Sequence, residues 1–323
     1  MKKTISQCMI VKNEEKNIRR ALSWGKDIMC EQIVVDTGSS DRTVEIAREM
    51  GAKIFSFPWI NDFAAAKNFA IDQAKGDWIA FLDADESFTP EDAAKIPEIL
   101  EYVGDDVDGL LTGIVDLDEN NNITSGGTMI RFFVNRPDLR YVGKIHEHLV
   151  RKGRSGLHLT DATEQLAFLH TGYQEQEKKD KSKFERNLNI ILEILKQEPE
   201  NCDYLGYLGD TYSSDGKNEE ARDAYKKAVA AMPEKLGVYD QRSSYTYTNL
   251  LRVSQCLNAP EAEVEAIYKE AVEKLPKEPD FECVMGDWYW GKGQYEKAVQ
   301  MYELAIAKLE TYGTVNRGII TTS

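Results

Sequence analysis

Apolar positions in the first hundred residues fall into short, nearly continuous runs separated by amphipathic stretches. Ile5 to Val11 is one such run and ends in Lys12-Asn13-Glu14. Runs of this length, closed by polar or turn residues, read as buried strands. Glu14 to Trp24 follows as a helix, with Ile18, Ala21 and Leu22 on one face. Gln32 to Asp36 is a second strand. Thr37-Gly38-Ser39-Ser40-Asp41 supplies the turn and cap for a helix running to about Met50. Lys53 to Phe57 is a third strand, closed by Pro58. Asp62 to Lys75 is an alanine-rich helix stopped by Gly76. Trp78 to Leu82 is a fourth strand, which delivers Asp83-Ala84-Asp85. Thr89 then caps a helix with Pro90 at its first position. Strands alternating with helices predict a parallel, doubly wound α/β sheet. Ligands of such sheets lie beyond the carboxyl ends of the strands.

Three of those ends are polar or acidic: Asn13 with Glu14, Asp36, and Asp83 with Asp85. Any one could be a strand-end cap, but the set converges on one crevice. Ionised carboxylates at the end of an apolar strand need positive compensation. A hard divalent cation holding a diphosphate supplies it, because Mg²⁺ and Mn²⁺ take oxygen ligands from carboxylates and phosphates.

Four segments carry a resemblance. They are Met9 to Glu15, Ile33 to Thr43, Ala66-Lys67-Asn68, and Phe81 to Glu86. In this order they resemble a family 2 glycosyltransferase of GT-A fold over roughly residues 4 to 175. The resemblance implies inverting transfer of a sugar from a nucleotide-diphosphate donor, usually a UDP-sugar, with Mn²⁺ or Mg²⁺. It implies that Asp36 hydrogen-bonds the donor base and that Val11, Lys12, Asn13 and Glu14 form the wall beside base and ribose. Lys67 and Asn68 fall near the donor phosphates. Asp83 and Ala84 fall at the ribose side of the donor, and Asp83 and Asp85 at the metal. A late histidine, His170, ends the apolar run Ala167-Phe168-Leu169 and matches a third metal ligand.

An inverting transfer needs a base for the acceptor's proton. Tyr141-Val142-Gly143-Lys144-Ile145-His146-Glu147-His148 holds two of the four histidines of the chain. On an extended segment His146 and His148 would share a face and Glu147 would oppose them. Glu147 is the expected base, with His146 positioning the acceptor or reaching the metal. Upstream, Gly109 to Val115 and Gly127 to Val134 are strand candidates joined by a turn at Asp118 to Asn122. Arg131, Arg136 and Arg140 lie in this region without an assigned role.

From about Gln174 the pattern becomes helical throughout, and the charged run Glu175 to Asp180 is expected to begin a connecting helix. Ser182 to Lys196 carries Phe184, Leu188, Ile191, Leu192 and Leu195 at helical spacing. Leu208-Gly209, Tyr212, Gly216, Ala221, Tyr225, Ala228 and Pro233 fit the tetratricopeptide pattern. Met285-Gly286, Tyr289, Gly293, Ala298, Tyr302 and Ala305 repeat it 77 residues later. Val264, Tyr268, Ala271 and Pro276 mark a middle copy, 43 residues from the first and 34 from the last. One repeat is 34 residues, so nine extra residues are expected, around Leu236 to Ser244. The chain thus divides into a catalytic domain over 1–175 and a helical repeat domain over 176–323, whose stacked pairs offer a protein-binding surface.

A formal net charge of −15 argues against a nucleic-acid partner or an anionic membrane surface. No apolar run of membrane-spanning length occurs, and no signal peptide is expected. The five cysteines are scattered without a C-x-x-C pair, which fits a reducing cytoplasm. Two acceptor classes compete. The domain pairing resembles bacterial peptide glycosyltransferases of the sublancin type, which favours a peptide or protein acceptor. It also resembles enzymes acting on lipopolysaccharide core or other envelope glycans. A catalytically inactive binding scaffold and a nucleotidyltransferase are the readings from other classes, and a homodimer stays open.

Overall fold

The computed structural model describes residues 2–171, 181–238 and 240–312. They form two compact units, residues 2–171 and 181–312. The expected helix start at Glu175 to Asp180 lies outside the described residues.

The first unit is built on β1 (Ile5–Val11), β2 (Glu31–Asp36), β3 (Lys53–Ser56) and β4 (Trp78–Phe81). These run parallel in the order β3-β2-β1-β4. β1 is central, and six of its seven residues are buried. Both faces are covered, which is why the strand reads as a continuous rather than an alternating apolar run. Even its polar members are satisfied: Gln7 Nε2 donates to the Ala21 carbonyl at 2.8 Å, and Ser6 Oγ to Glu31 at 2.6 Å. The covering helices are α1 (Ile18–Ser23), α2 (Thr43–Glu49), α3 (Phe63–Asp72) and α4 (Pro90–Tyr102). Asp62 caps α3 by accepting from Ala65 N, and Thr89 caps α4 by accepting from Asp92 N. α1 starts four residues later than the pattern predicts, because Glu14 O first closes a turn with Asn17 N and Ile18 N.

Beyond β4 the sheet turns mixed. β5 (Glu86–Phe88), β6 (Gly109–Leu117), β7 (Ile123–Val134), β10 (Leu159–Asp161) and β11 (Ala167–His170) extend it in the order β4-β7-β6-β11-β5, with β10 beside β6. β8 (Leu139–Val142) and β9 (His148–Arg151) pair separately. The β6–β7 hairpin is longer than its sequence pattern. β7 begins at Ile123, four residues before the expected Gly127, since its outer half is polar and solvated yet still paired. Asp118 caps the turn by accepting from Asn120 N and Asn122 N, each at 2.8 Å. A bulge interrupts the pairing where Leu110 faces Phe132 but Leu111 faces Ile130, leaving Arg131 as the extra residue.

The second unit is helical: α5 (Lys181–Gln197), α6 (Cys202–Ser214), α7 (Asn218–Ala231), α8 (Gln241–Cys256), α9 (Glu261–Lys274), α10 (Asp280–Gly291) and α11 (Tyr295–Tyr312). On α5 the buried line is Ile190, Ile191 and Ile194, while Leu192 is exposed, so the inward face is rotated from the expected one. Helix pairs α6–α7 and α10–α11 share one packing device. A glycine on the first helix, Gly209 or Gly286, receives the ring of a tyrosine on the second, Tyr225 or Tyr302. Each tyrosine hydroxyl donates to an aspartate one residue further along the glycine's helix, Asp210 at 2.8 Å and Asp287 at 2.7 Å. The nine extra residues are spread out rather than lodged in one segment. The connector before α8 has nine residues against five before α10, α8 has sixteen against twelve in α10, and the turn after α8 has four against three.

Candidate active site

The register of the parallel strands fixes the base of the site. Val11, the last residue of β1, pairs with Asp36, the last of β2, while Phe81, the last of β4, pairs with Cys8, so all three strands leave the sheet in the same direction and β4 stops three residues short of β1. β2 and β4, which lead to Asp36 and to the Asp83–Asp85 turn, lie two strand spacings apart, about 10 Å. The loops leaving β1 and β2 are stitched reciprocally. Asn13 N donates to Ser39 Oγ at 2.9 Å, Ser40 N donates to Asn13 Oδ1 at 2.8 Å, and Glu14 N donates to Thr43 Oγ1 at 2.7 Å. Asn13 holds a positive φ of 58°, which asparagine tolerates better than most residues. Asp36 accepts from Gly38 N and Ser39 N at 3.2 and 3.0 Å, leaving further lone pairs for a ligand. Val11 and Ala84 are buried in one apolar cluster with Met9, while Lys12 is exposed.

The D-x-D turn sits in a line of alternating charge. Lys67 on α3 places Nζ 2.6 Å from Glu147 Oε1 and 3.9 Å from Asp83 Oδ1. On the other side of Asp83, Arg131 Nη2 lies 3.3 Å from Asp83 Oδ2 and hydrogen-bonds Glu86. Glu86 Oε2 in turn accepts from Asp83 N at 3.0 Å. The order is therefore Glu147, Lys67, Asp83, Arg131, Glu86. Lys67 is buried between the rings of Phe81 and Tyr141, at 5.2 and 5.1 Å from their centroids. Arg131 is buried over Phe168 at 5.3 Å. Burying such charges is costly unless each faces an opposite one, and the alternating order meets that condition. Burial opposes ionisation of Asp83, yet Lys67, Arg131 and His170 outweigh it and hold its carboxyl below the usual range. Glu86 is nearly sealed, and burial pushes its carboxyl up to about 7 despite Arg131. Burial also pushes the Tyr141 phenol up to about 12.

Asp85 belongs to a second line. His170 Nε2 is 3.4 Å from Asp85 Oδ2, and its Nδ1 is 2.8 Å from Asp116 Oδ1. Ser125 Oγ donates to the other oxygen of Asp116. Burial would lower the imidazole, but the hydrogen bonds to Asp85 and Asp116 outweigh it and push it up to about 9. The Asp85 carbonyl is pinned by Arg20 Nη2 at 3.2 Å, Thr171 N at 3.2 Å and Thr171 Oγ1 at 3.1 Å.

The donor set suits a hard divalent ion in kind: two carboxylates and an imidazole. Among the described residues no three such groups converge as a ready cage. Asp83 faces Lys67 and Arg131, while Asp85 faces His170. Asp85 and His170 would hold the ion, His170 through Nε2 in its neutral form while Nδ1 stays on Asp116.

The His-Glu segment is not extended, contrary to its expected alternation. Residues 143–146 form bends, His146 holds a positive φ of 54°, and β9 begins only at His148. The chain turns Glu147 inward to Lys67 and leaves His146 and His148 exposed. Asn68 uses its amide on β8, donating to Tyr141 O at 2.8 Å and accepting from Tyr141 N at 2.9 Å. It anchors the strand that walls Lys67. Arg131, Glu86, Asp116, Arg20 and Thr171 entered the site without being assigned from sequence. An arginine inside the apolar run Ile130 to Val134 was the legible signal, since a charge in a buried strand requires a partner.

Residues 6–154 match the family model described as glycosyl transferase family 2, and residues 204–234 and 284–313 match tetratricopeptide repeat models. The chain is 33% identical over 231 residues to the SPbeta prophage-derived glycosyltransferase SunS of Bacillus subtilis, covering 70% of this chain and 53% of that protein. It is 29% identical over 316 residues to a TPR repeat-containing protein of Synechococcus elongatus, covering 94% and 75%. The chain thus spans about half the length of the first curated relatives it matches. Among solved structures, glucosyl-3-phosphoglycerate synthase from Mycobacterium tuberculosis, in complex with Mn²⁺, uridine-diphosphate and glucosyl-3-phosphoglycerate, aligns at a TM-score of 0.29 and 22% identity, covering 36% of this chain and 44% of that one. S. aureus TarS aligns at 0.43 and 14%, covering 79% and 91%. Residues 6–154 are a family 2 glycosyltransferase domain, followed by tetratricopeptide repeats.

Proposed function

We propose that the protein transfers a sugar, with inversion, from a UDP-sugar to a peptide or protein acceptor in a reaction that uses Mn²⁺ or Mg²⁺. The observation that carries this reading is that Asp36 and the Asp83–Asp85 turn leave the same edge of the sheet on strands that flank β1, with buried Lys67 and Arg131 on either side of Asp83. Asp36 accepts a ring N–H of the base. Asp83, held ionised by Lys67 and Arg131, would accept from the ribose. A divalent cation at Asp85 and His170 would supply positive charge where the diphosphate departs. Glu147 takes the acceptor's proton on the opposite face of the sugar, and Lys67 orients it at 2.6 Å. The tetratricopeptide repeats support a protein acceptor, because stacked helix pairs commonly present binding surfaces.

The test is nucleotide release from UDP-sugars with Mn²⁺ or Mg²⁺. The expected product is UDP, and Asp85→Ala lowers its release by about a hundredfold or more. Pyrophosphate as the product would point to nucleotidyl transfer instead. The absence of both binding and turnover with every UDP-sugar would overturn the reading.

A further inference from the structure

β7 has two edges with different fates. β6 accompanies it from Ile123 to Phe133. β4 pairs only with Phe132, Phe133 and Val134. Among the described residues no strand pairs the β4-facing edge of residues 123–131. Residues 123–129 are all exposed. In an antiparallel strand about half the main-chain groups point to each side, so this stretch holds a row of N–H and C=O groups toward solvent. Proteins usually blunt such an edge with charge, proline or short length. Ile123-Thr124-Ser125-Gly126-Gly127-Thr128-Met129 has neither charge nor proline.

The edge also borders the chemistry. Arg131, at its inner end, touches Asp83 and Glu86. Ser125 binds Asp116, which holds His170. The open stretch therefore continues the line of β4 past Phe81, alongside the turn that carries Asp83 and Asp85.

We infer that this edge receives the acceptor as an added β-strand. An extended polypeptide pairs through its main chain with residues 124–130, and one hydroxyl or thiol side chain turns toward Asp83. The inference rests on the peptide-acceptor reading above. Only a polypeptide repeats donors and acceptors at strand spacing, so a glycan or lipid acceptor does not fit the edge. Gly126 and Gly127 keep both faces of β7 low beside the incoming side chains. The carboxylates of Asp83, Asp85, Asp116 and Glu147 disfavour acidic residues next to the reacting one. Selection by main chain makes extended conformation, more than sequence, the requirement.

The test offers the whole chain a displayed heptapeptide library with one central Cys or Ser, a mixture of UDP-glucose, UDP-galactose and UDP-N-acetylglucosamine, and Mn²⁺. Each modified peptide is remade with a single backbone N-methyl at every position in turn. The expected result is a loss of about tenfold or more in kcat/KM at alternate positions and little loss between them, since each affected position removes one main-chain hydrogen bond. Hydrogen exchange of alternate amides in 124–130 slows when peptide is added. Losses without a period of two overturn the strand. Protection of those amides that grows with enzyme concentration and needs no peptide assigns the edge to a second copy, and also overturns it. Release of UDP with no sugar on any peptide sinks the peptide-acceptor reading and this docking mode together, while the donor site stands.

Discussion

Arg131 shows how much one side chain carries. It is the bulge residue of β7, and a bulge re-aims a side chain out of the regular alternation. Here it points between Asp83 and Glu86, both of which would otherwise lack a close arginine. Removing one partner of a buried charged set leaves the others uncompensated. Arg131→Leu is expected to cost about 3–5 kcal/mol of stability in urea denaturation. Lys67 differs in kind. It links the expected base to the D-x-D turn, so Lys67→Met should lower kcat for transfer more than it raises the KM for the donor, read by initial rates.

Among elements, β2 is tied to its neighbours by a single carboxylate. Glu31 accepts from Ser6 Oγ of β1, Lys53 Nζ of β3 and Lys75 N before β4, each at 2.6 Å. Burial opposes its ionisation, but Lys53, Ser6 and Lys75 outweigh it and hold the carboxyl below 4.5. The folded state thus binds the proton less readily than the unfolded chain. The stabilisation is complete above the unfolded value and fades as pH falls through the folded one. Denaturation midpoints between pH 6 and 3 should drop steeply for the native chain and less steeply for Glu31→Gln, which lacks this titration. The repeat helices offer a second element-scale test. A Cβ on Gly209 would meet Tyr225 Cε1 at 2.4 Å, and one on Gly286 would meet Tyr302 Cε1 at 2.6 Å. Tyr225 is fully buried and pinned to Asp210, whereas Tyr302 is only partly buried. Gly209→Ala should cost about 1–3 kcal/mol, more than overpacking is repaid by helix propensity. Gly286→Ala should cost less, because its tyrosine can give way.

At the scale of the molecule, the two units have separate cores. One is centred on the sheet, and the other on Tyr247, Phe281 and Met285. A ligand that binds one folded unit stabilises that unit. UDP with Mn²⁺ at about a hundred times its dissociation constant should raise the melting of residues 2–171 by about 5–10 °C. Gly209→Ala should lower only the other transition. Differential scanning calorimetry of the two species checks both statements. No described helix is long and apolar enough to cross a membrane.

Periodicity and strand-end chemistry alone determined the alternating strands and helices, the positions of Asp36, Asp83 and Asp85, and the offset of 77 residues between repeats. Such features are local, because burial on both faces and helix pairing leave their period in the chain itself. What only the tertiary structure decided was register and partnership. The bulge that turns Arg131 inward, the bend that turns Glu147 to Lys67, and the pairing of His170 with Asp116 as well as Asp85 join residues distant in sequence. A one-residue shift in strand pairing reverses a side chain's face, and no local pattern records which residue absorbs the shift. The open edge of β7 follows from the same cause. It exists because β4 stops at Phe81 while β7 runs on, a mismatch visible only once the two strands lie side by side.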